Sequence, residues 1–271
     1  MKAKKSLGQN FLKDPHYRQK IIEALSLSEK DRVLEIGPGL GALTNDIAEK
    51  CGELMLVEKD EALAFALEKK YSGNPKVTVI TGDFLKIQIP EGNGDIKVVG
   101  NLPYNVASQI FFRLIQNRKN FSELFLMFQK EMALRFVASP STKDYGLPTL
   151  WASIYTEAKI LFHLPPNAFN PVPKVHSTFV HFKMRETPLL REEESEDFFT
   201  MMRLLFQQRR KTIQSTMKKL RGKVPPTARA EAMTVGELID LFRVYGNAHA
   251  VEGTIDKNKG HGEKESPDTG F

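Results

Sequence analysis

Short apolar runs alternate with amphipathic segments through the first half of the chain. The predicted strands cover 32–36, 54–57, 77–80, 96–99 and 124–128, and the predicted helices cover 40–50, 62–70, 106–115 and 130–137. Strand–helix alternation of this kind predicts an α/β fold whose doubly wound, mostly parallel sheet carries helices on both faces. Two later apolar runs, at 160–162 and 178–182, have no helix between them, which predicts an antiparallel edge pair.

A break in the pattern follows Lys183 and divides the chain. Beyond an acidic run at 192–194, helices are predicted over 198–220 and 235–245, and the stretch after Gly253 is polar and rich in Gly and Lys. We therefore expect an α/β domain over 1–185, a smaller all-α domain over 186–252 and a disordered tail over 253–271.

Composition and charge narrow the class of protein. The 271 residues carry a formal net charge of +6, and 198–230 holds nine Lys or Arg with no Asp or Glu, which points to a polyanionic partner. No apolar run is long enough to cross a bilayer, and no secretory signal is visible at the start. The single cysteine fits a reducing cytoplasm, and the six histidines lack metal-ligand spacing, so we expect no metal and no membrane partner.

A glycine-rich turn, EIGPGLGA at 35–42, lies between the first strand and the first helix. Glycines there permit a tight turn and a close approach of the backbone to a ligand. Gly37 and Gly39 satisfy a dinucleotide fingerprint, and Glu58 ends the next strand where a ribose-binding acid is expected. Three interpretations remain open on these residues: a nicotinamide enzyme, a nucleoside cofactor without a pyrophosphate, or a structural turn.

A second turn, TGDF at 81–84, ends the third strand. Asp83 can accept a hydrogen bond from an adenine amino group, and Phe84 offers a flat wall. A pocket for adenosine needs this arrangement and a dehydrogenase does not. The alternative is that Asp83 caps the next segment.

The sharpest motif is Asn101-Leu102-Pro103-Tyr104, where the fourth strand leaves the sheet. Pro103 holds Leu102 extended and makes the direction of its carbonyl predictable. The Asn101 side-chain oxygen and that carbonyl can both accept hydrogen bonds from one –NH₂ group, while Tyr104 stacks on the ring that bears it. Two such acceptors favour a tetrahedral nitrogen with an exposed lone pair, so we predict a site that methylates a base amine with S-adenosyl-L-methionine and no metal.

These motifs together resemble the KsgA-type ribosomal RNA small-subunit adenine dimethyltransferase family. The landmarks are SLGQNFL (6–12), EIGPGLGALT (35–44), VEKD (57–60), GDF (82–84), GNLPYN (100–105), QKE (129–131), FNPVPKVHS (169–177) and QRRKT (208–212). The resemblance extends to about residue 245 and implies that 1–185 is a Rossmann-like S-adenosylmethionine-binding catalytic domain. One position departs from the family, because Leu147-Pro148 stands where an Arg is typical.

The resemblance also implies the roles of individual residues. Cofactor contacts fall on Asn10, Leu12, Gly37, Glu58, Asp83 and Asn101, with Asn10 and Leu12 placed there by the family alone. The two turns described above add Gly39 and Phe84 to this set. Catalysis falls on Asn101, Leu102, Pro103 and Tyr104, with Tyr104 and Phe169 on the two faces of the target adenine. The basic residues Arg209, Arg210, Lys211, Lys218 and Lys219 become an RNA-binding surface on one helix.

The implied substrate is a pair of adjacent adenines in a hairpin loop near the 3′ end of the small-subunit RNA, each dimethylated in immature subunits by a monomeric enzyme. Loop bases are unstacked at low cost, which suits this chemistry. Three rivals remain: a large-subunit adenine methylase of the macrolide-resistance type, a mainly non-enzymatic ribosome-assembly factor, and a dinucleotide oxidoreductase. QRRKT disfavours the first, and NLPY with GDF disfavours the last.

Overall fold

The computed structural model describes residue 4 and residues 9–245. The chain forms two compact units, which we call the sheet unit and the helical unit. The sheet unit holds the residues up to Leu134 and Thr156–Glu186, and the helical unit holds Arg135–Tyr155 and the residues from Thr187 onward. The expected single boundary at 185 is therefore incomplete, because 135–155 belongs with the C-terminal helices. The expected disordered tail lies outside the described residues.

A mostly parallel seven-stranded sheet forms the sheet unit, in the order β4-β3-β2-β5-β6-β9-β7. Its strands are β2 Arg32–Ile36, β3 Glu53–Glu58, β4 Val77–Thr81, β5 Ile96–Asn101, β6 Phe121–Gln129, β7 Thr156–Leu164 and β9 Ser177–Met184. Two short strands, β1 Phe11–Leu12 and β8 Phe169–Asn170, pair separately and antiparallel. The strand order reverses between β2 and β5, and in an open α/β sheet ligands bind outside the carboxyl ends of the strands at such a point.

Helices follow most of these strands, and further helices make up the helical unit. They are α1 Pro15–Leu25, α2 Thr44–Lys50, α3 Glu61–Tyr71, α4 Ala107–Gln116, α5 Lys130–Phe136, α6 Leu147–Tyr155, α7 Ser195–Gln207, α8 Ile213–Thr216 and α9 Val235–Tyr245. Single 3₁₀ turns lie at Arg118–Asn120, Pro166–Ala168, Glu192–Glu194, Lys218–Leu220 and Ala230–Ala232. No helix in the described part of the chain is long and apolar enough to cross a membrane.

The sheet confirms the predicted fold class and shows why the sequence pattern revealed it. The inner strands β2, β3 and β5 are buried along nearly their whole length, so they are continuous apolar runs of the kind that parallel sheets require. The edge strand β4 is half exposed. The predicted antiparallel pair is β7 with β9, and β9 also pairs antiparallel with β6.

The helical unit differs from the prediction in two places. The expected helix over 198–220 ends at Gln207, because Gln208 leaves the helical region and Thr212 caps a new short helix, α8. The helix α6 was not predicted. Pro148 lies in its first turn, where the missing N–H of proline costs nothing, so the departure from the family pattern is compatible with a helix.

Aromatic packing forms the core of the helical unit. The Trp151 ring of α6 stacks on Phe199 of α7 with centroids 3.8 Å apart, and Phe198 meets Phe242 of α9 edge to face at 5.5 Å. Such contacts add about 0.5–1.5 kcal/mol each beyond the area they bury. Three helices are therefore held together by aromatic side chains on the apolar stripe of α7.

Glu194, just before α7, is a buried carboxylate held by two arginines of the helical unit. It accepts hydrogen bonds from Arg243 Nε at 3.0 Å and from Arg191 at 2.9 Å, and its side chain is 8% exposed. These bonds, first from Arg243 and then from Arg191, hold the pKa of Glu194 well below its usual range.

We expect Glu194→Gln to lower the free energy of unfolding at pH 7 by about 1–3 kcal/mol, because hydrogen bonds to a charged group are removed. A carboxylate with a depressed folded pKa stabilises above its unfolded pKa near 4.3, and the stabilisation is lost as the pH falls further. The gap between wild type and variant should therefore close in acid. Glu193→Gln is the matched control, since Glu193 is 71% exposed and lies 3.6 Å from Arg191. Chemical denaturation across pH gives the comparison, and equal losses for both variants would contradict the assignment.

Candidate functional site

A cavity of about 930 Å³, counted with its opening to solvent, lies at the carboxyl ends of β2, β3, β4 and β5 in the sheet unit. Most of the predicted site residues line it: Asn10, Gly37, Gly39, Glu58, Asp83, Phe84, Asn101, Leu102, Pro103 and Tyr104. A concave lining of apolar side chains with a few polar groups is typical of small-molecule and cofactor sites. The strand reversal between β2 and β5 thus places the predicted residues around one cavity.

The glycine turn after β2 forms one wall of this cavity. Gly39 has φ +58°, and a Cβ built there would lie 2.9 Å from the Phe11 ring, so both conformation and space require glycine. The N–H groups of Gly37, Gly39 and Gly41 donate to Val57 O, Glu58 Oε2 and Pro38 O respectively, each at 2.9 Å. A pyrophosphate needs free N–H donors in such a loop, so these bonds favour a nucleoside-type cofactor over a dinucleotide.

Glu58 is the last residue of β3, and its carboxylate accepts hydrogen bonds from the backbone of two turns. Its Oε2 accepts from the Gly39 N–H at 2.9 Å, and its Oε1 accepts from the Asp60 N–H at 2.8 Å. Burial raises the pKa of Glu58, and the two backbone hydrogen bonds oppose that rise. Each carboxylate oxygen has a further lone pair, so the side chain can still accept from a ribose hydroxyl in the cavity.

Asp83 lies at the end of β4 and has partners on both oxygens. Its Oδ1 accepts from the Leu85 N–H at 3.0 Å, and its Oδ2 pairs with Lys59 Nζ at 2.8 Å. Burial acts to raise the pKa of Asp83, but the Lys59 ammonium and the Leu85 N–H outweigh it and the pKa is lowered. The sequence left two alternatives for Asp83, a cap on the next segment or a place in a ligand pocket. In the structure Asp83 both caps that segment and lines the cavity.

Asn101 ends β5, and its amide has a defined orientation. The Asn101 Nδ2 donates to the carbonyl of Asn10 at 2.8 Å, which leaves Oδ1 as the acceptor end of the side chain. Leu102 is buried with its Cδ2 against Gly100, where an added Cβ would lie only 2.7 Å away. A side chain at position 100 would therefore displace Leu102 from its buried position.

Tyr104 follows this turn and is half-buried in the cavity wall. Its hydroxyl lies 2.6 Å from Ser177 Oγ, at the start of β9. Burial raises the pKa of the Tyr104 phenol, and the hydrogen bond with Ser177 acts in the opposite direction. The aromatic wall of the site is therefore attached to the antiparallel part of the sheet.

Leu12 and Phe169 do not line the cavity. They are register partners in the β1–β8 pair, and both are buried in the hydrophobic cluster of the sheet unit. Phe169 has 0% exposure and is not part of the cavity lining. The structure thus brings the two family-implied segments together, but it does not bring the Phe169 ring to the cavity opposite Tyr104.

The predicted basic surface lies in the helical unit, but not on one helix. Arg209–Lys211 form a turn after α7, and Arg210, Lys211 and Lys218 are exposed. The Arg209 guanidinium bonds within the unit, to Glu231 at 3.1 Å and to the carbonyls of Lys143 and Thr142. These contacts hold the turn that follows α7. The side chain of Lys219 lies outside the described part.

Several residues of this region were missed by the sequence interpretation. Phe11 packs against the glycine turn, Lys59 pairs with Asp83, Gln9 lines the cavity and Ser177 holds Tyr104. The first three adjoin residues that were singled out, so adjacency was the available signal. Ser177 lies 73 positions from Tyr104, and no local pattern joins them. Among the described residues, no group of three or more His, Cys, Asp or Glu could hold a metal ion.

Known proteins share both sequence and architecture with this chain. Ribosomal RNA small subunit methyltransferase A of Chlorobium luteolum is 38% identical over 249 residues, 89% of each chain. The protein of the same description from Lactococcus lactis is 36% identical over 259 residues, 88% of each chain.

Two solved structures extend the comparison. A dimethyladenosine transferase from Plasmodium falciparum superposes with a TM-score of 0.77 and 25% identity, over 87% of this chain and 97% of that one. The 23S rRNA methyltransferase ErmE gives a TM-score of 0.68 and 28% identity, over 86% and 98%. The profile of the ribosomal RNA adenine dimethylase family matches residues 1–240. The chain therefore belongs to the ribosomal RNA adenine dimethylase family.

Proposed function

We propose that the protein dimethylates the exocyclic amines of two adjacent adenines in small-subunit ribosomal RNA, with S-adenosyl-L-methionine as methyl donor. One observation carries the proposal. The Asn101 amide is bonded through Nδ2 to the Asn10 carbonyl, so its oxygen is the acceptor end of the side chain, in the cavity that Tyr104 also lines.

The cofactor half of the cavity fits S-adenosylmethionine. Glu58 has spare lone pairs for ribose hydroxyls, and Asp83 and Phe84 offer a carboxylate and a flat ring for adenine. The N–H groups of the loop glycines are already bonded, which suits a ligand without a pyrophosphate. S-adenosylmethionine, when bound, supplies an electrophilic methyl group on a sulfonium, and the C–S bond breaks as the new N–C bond forms.

The base half of the cavity prepares the amine. In a purine the amine lone pair is delocalised into the ring, so the free base is a poor nucleophile. Asn101 Oδ1 and the Leu102 carbonyl hold the two amine hydrogens and favour a tetrahedral nitrogen with its lone pair exposed. The nitrogen gives up one proton to solvent water for each methyl group gained, and these two oxygens only hold and orient those hydrogens before transfer. Positioning and electrostatics supply the rate enhancement.

Stacking supplies the remaining base contact. Tyr104 lines the cavity and can cover one face of the adenine, an interaction worth about 1–3 kcal/mol. Phe169 remains our candidate for the opposite face. Because its ring is buried in the apolar cluster, this role requires the ring to leave that cluster when the base enters.

The small subunit is favoured over the large one as the source of the RNA. Relatives at 35–40% identity are small-subunit methyltransferases, whereas the large-subunit enzyme ErmE is 28% identical. The exposed Arg210, Lys211 and Lys218 are suited to RNA phosphates. We place the reaction on immature subunits in the cytoplasm, in a hairpin loop near the RNA 3′ end, and expect a monomer.

The central experiment incubates the protein with methyl-labelled S-adenosylmethionine and either immature small subunits or large subunits. Label on the amines of two adjacent adenines of the small-subunit RNA is the expected result. Label confined to the large subunit would support the macrolide-resistance alternative. Subunit binding without any transfer would support an assembly factor without catalysis.

Asn101→Ala should slow methyl transfer by at least about 10²-fold, since one of two acceptors for the amine is removed. Single-turnover rates at saturating cofactor measure this, and calorimetry should still detect cofactor binding. Asn117→Ala is a control of the same type, because Asn117 follows α4 and its side chain donates to the Arg113 carbonyl of that helix. A rate near wild type for Asn101→Ala would remove the basis for the proposed amine site.

Glu58→Ala should weaken S-adenosylmethionine binding by about 1.5–3 kcal/mol, because a charged acceptor is removed. Since burial raises the pKa of Glu58, wild-type affinity should fall with decreasing pH earlier than for an exposed glutamate, and the variant should lack that component. Calorimetry over a pH series measures both effects. Tight binding of a nicotinamide dinucleotide would reverse the choice of cofactor.

The triple variant Arg210→Gln, Lys211→Gln, Lys218→Gln should weaken subunit binding and flatten its salt dependence. The slope should fall by about 0.7–0.9 log units for each RNA phosphate that the variant no longer neutralises. Binding across a salt series measures the slope. Arg209→Gln is the matched control: it should lower thermal stability instead, because Arg209 is bonded inside the helical unit. An unchanged slope in the triple variant would mean that these side chains do not touch RNA.

A further inference from the structure

The Tyr104 ring is held at both of its ends. Its backbone end follows Pro103, whose carbonyl accepts from the Val106 N–H at 3.1 Å in a tight turn. Its hydroxyl end lies 2.6 Å from Ser177 Oγ. A tyrosine ring fixed only through its backbone can still turn about its side-chain bonds, whereas a hydrogen bond at the far end selects one orientation.

Ser177 is a rigid partner for this bond. It is the first residue of β9, with register partners on both sides, Gln129 of β6 and Leu164 of β7. The residue has 0% exposure, although serine is among the residues found mostly at surfaces. Burying a hydroxyl costs free energy unless it is hydrogen-bonded, and here its partner is the cavity-lining tyrosine.

A serine at this position therefore links β9, a strand paired on both sides, to the ring on which a base would stack. We propose that Ser177 is a positioning residue for methyl transfer, which sets the plane of Tyr104 so that the target amine meets Asn101 Oδ1 and the Leu102 carbonyl. The inference rests on the proposed function and extends it to a residue outside the cavity lining.

The orientation of the ring matters because the geometry of transfer is strict. A displacement of the amine by about 1 Å is enough to reduce the rate of a positioned reaction by a large factor. In the proposed function the cofactor binds at Glu58 and Asp83, and Ser177 is not part of the cavity lining. Loss of the hydroxyl should therefore lower the rate of transfer and leave cofactor affinity unchanged.

A double-mutant cycle on Ser177→Ala and Tyr104→Phe tests the proposal, with single-turnover transfer to immature small subunits at saturating cofactor. Each single variant removes one partner of the same hydrogen bond and should slow transfer about five- to tenfold. The double variant should be no slower than the slower single variant, because the same bond can be removed only once. Cofactor affinity, measured by calorimetry, should equal that of wild type in all three.

Thr178→Val is the matched control. Thr178 is the next residue of β9, is equally buried, and bonds His163 at 2.8 Å rather than Tyr104. The variant removes a buried strand hydroxyl at nearly constant volume and should leave transfer close to wild type. Tyr104→Phe removes the proposed bond without altering the buried strand, so it tests the proposal even where Ser177→Ala folds poorly.

The outcomes separate the two proposals. Wild-type protein that binds cofactor but transfers no methyl group to small subunits would overturn the proposed function, and this inference with it. Transfer by wild type, with rate reductions that multiply in the double variant, would overturn this inference alone and leave Ser177 a support of the fold. A rate near wild type for Tyr104→Phe would also overturn it.

Discussion

The buried carboxylate of Glu58 is the constraint on which the ligand-binding edge of the sheet depends. It bonds the Gly39 N–H of the turn after β2 and the Asp60 N–H of the turn after β3, so one side chain sets the spacing of two loops. Asp60 in turn accepts from Lys4 and Gln9, and the Lys4 ammonium, ahead of the other partners, keeps the pKa of Asp60 low. Removing Glu58 would leave two backbone donors without their acceptor beside the cavity.

In the proposed function, the cavity has a cofactor half and a base half that come from different parts of the sheet. The cofactor half is built by the parallel strands β2, β3 and β4, whose turns carry glycine and carboxylates. The base half is built by β5, and its ring is bonded to β9, which is antiparallel to its neighbours. The parallel part resembles many nucleotide-binding sheets, whereas adding β9 beside β6 supplies a fixed point for Tyr104. In our proposal, specificity for a base amine depends on this second half.

Prediction from sequence succeeded where the cause is local. Buried parallel strands are continuous apolar runs, and Gly39, Glu58 and Asn101 each stand at or just after a strand end, so fold class and cavity lining followed from position alone. Prediction failed where contacts between residues far apart in the sequence determine the local structure. In the turn after α7, Arg209 is bound by Glu231 and two backbone carbonyls, and Phe169 is buried in a strand pair with Leu12. The bond from Ser177 to Tyr104 likewise has no local signature.

An amide at position 101 suits this site better than a carboxylate because the backbone carbonyl of Asn10 lies beside it. Asparagine has a donor for the Asn10 carbonyl and an acceptor for the substrate, so one contact orients the other. An aspartate has no donor for that carbonyl. Its negatively charged oxygen would face the carbonyl oxygen without a hydrogen bond. The carboxylates of the cavity stand instead in the cofactor half, at Glu58 and at Asp83 beside Lys59. In the proposed function, neutral acceptors on the base side hold the amine hydrogens and leave the nitrogen lone pair to the methyl group.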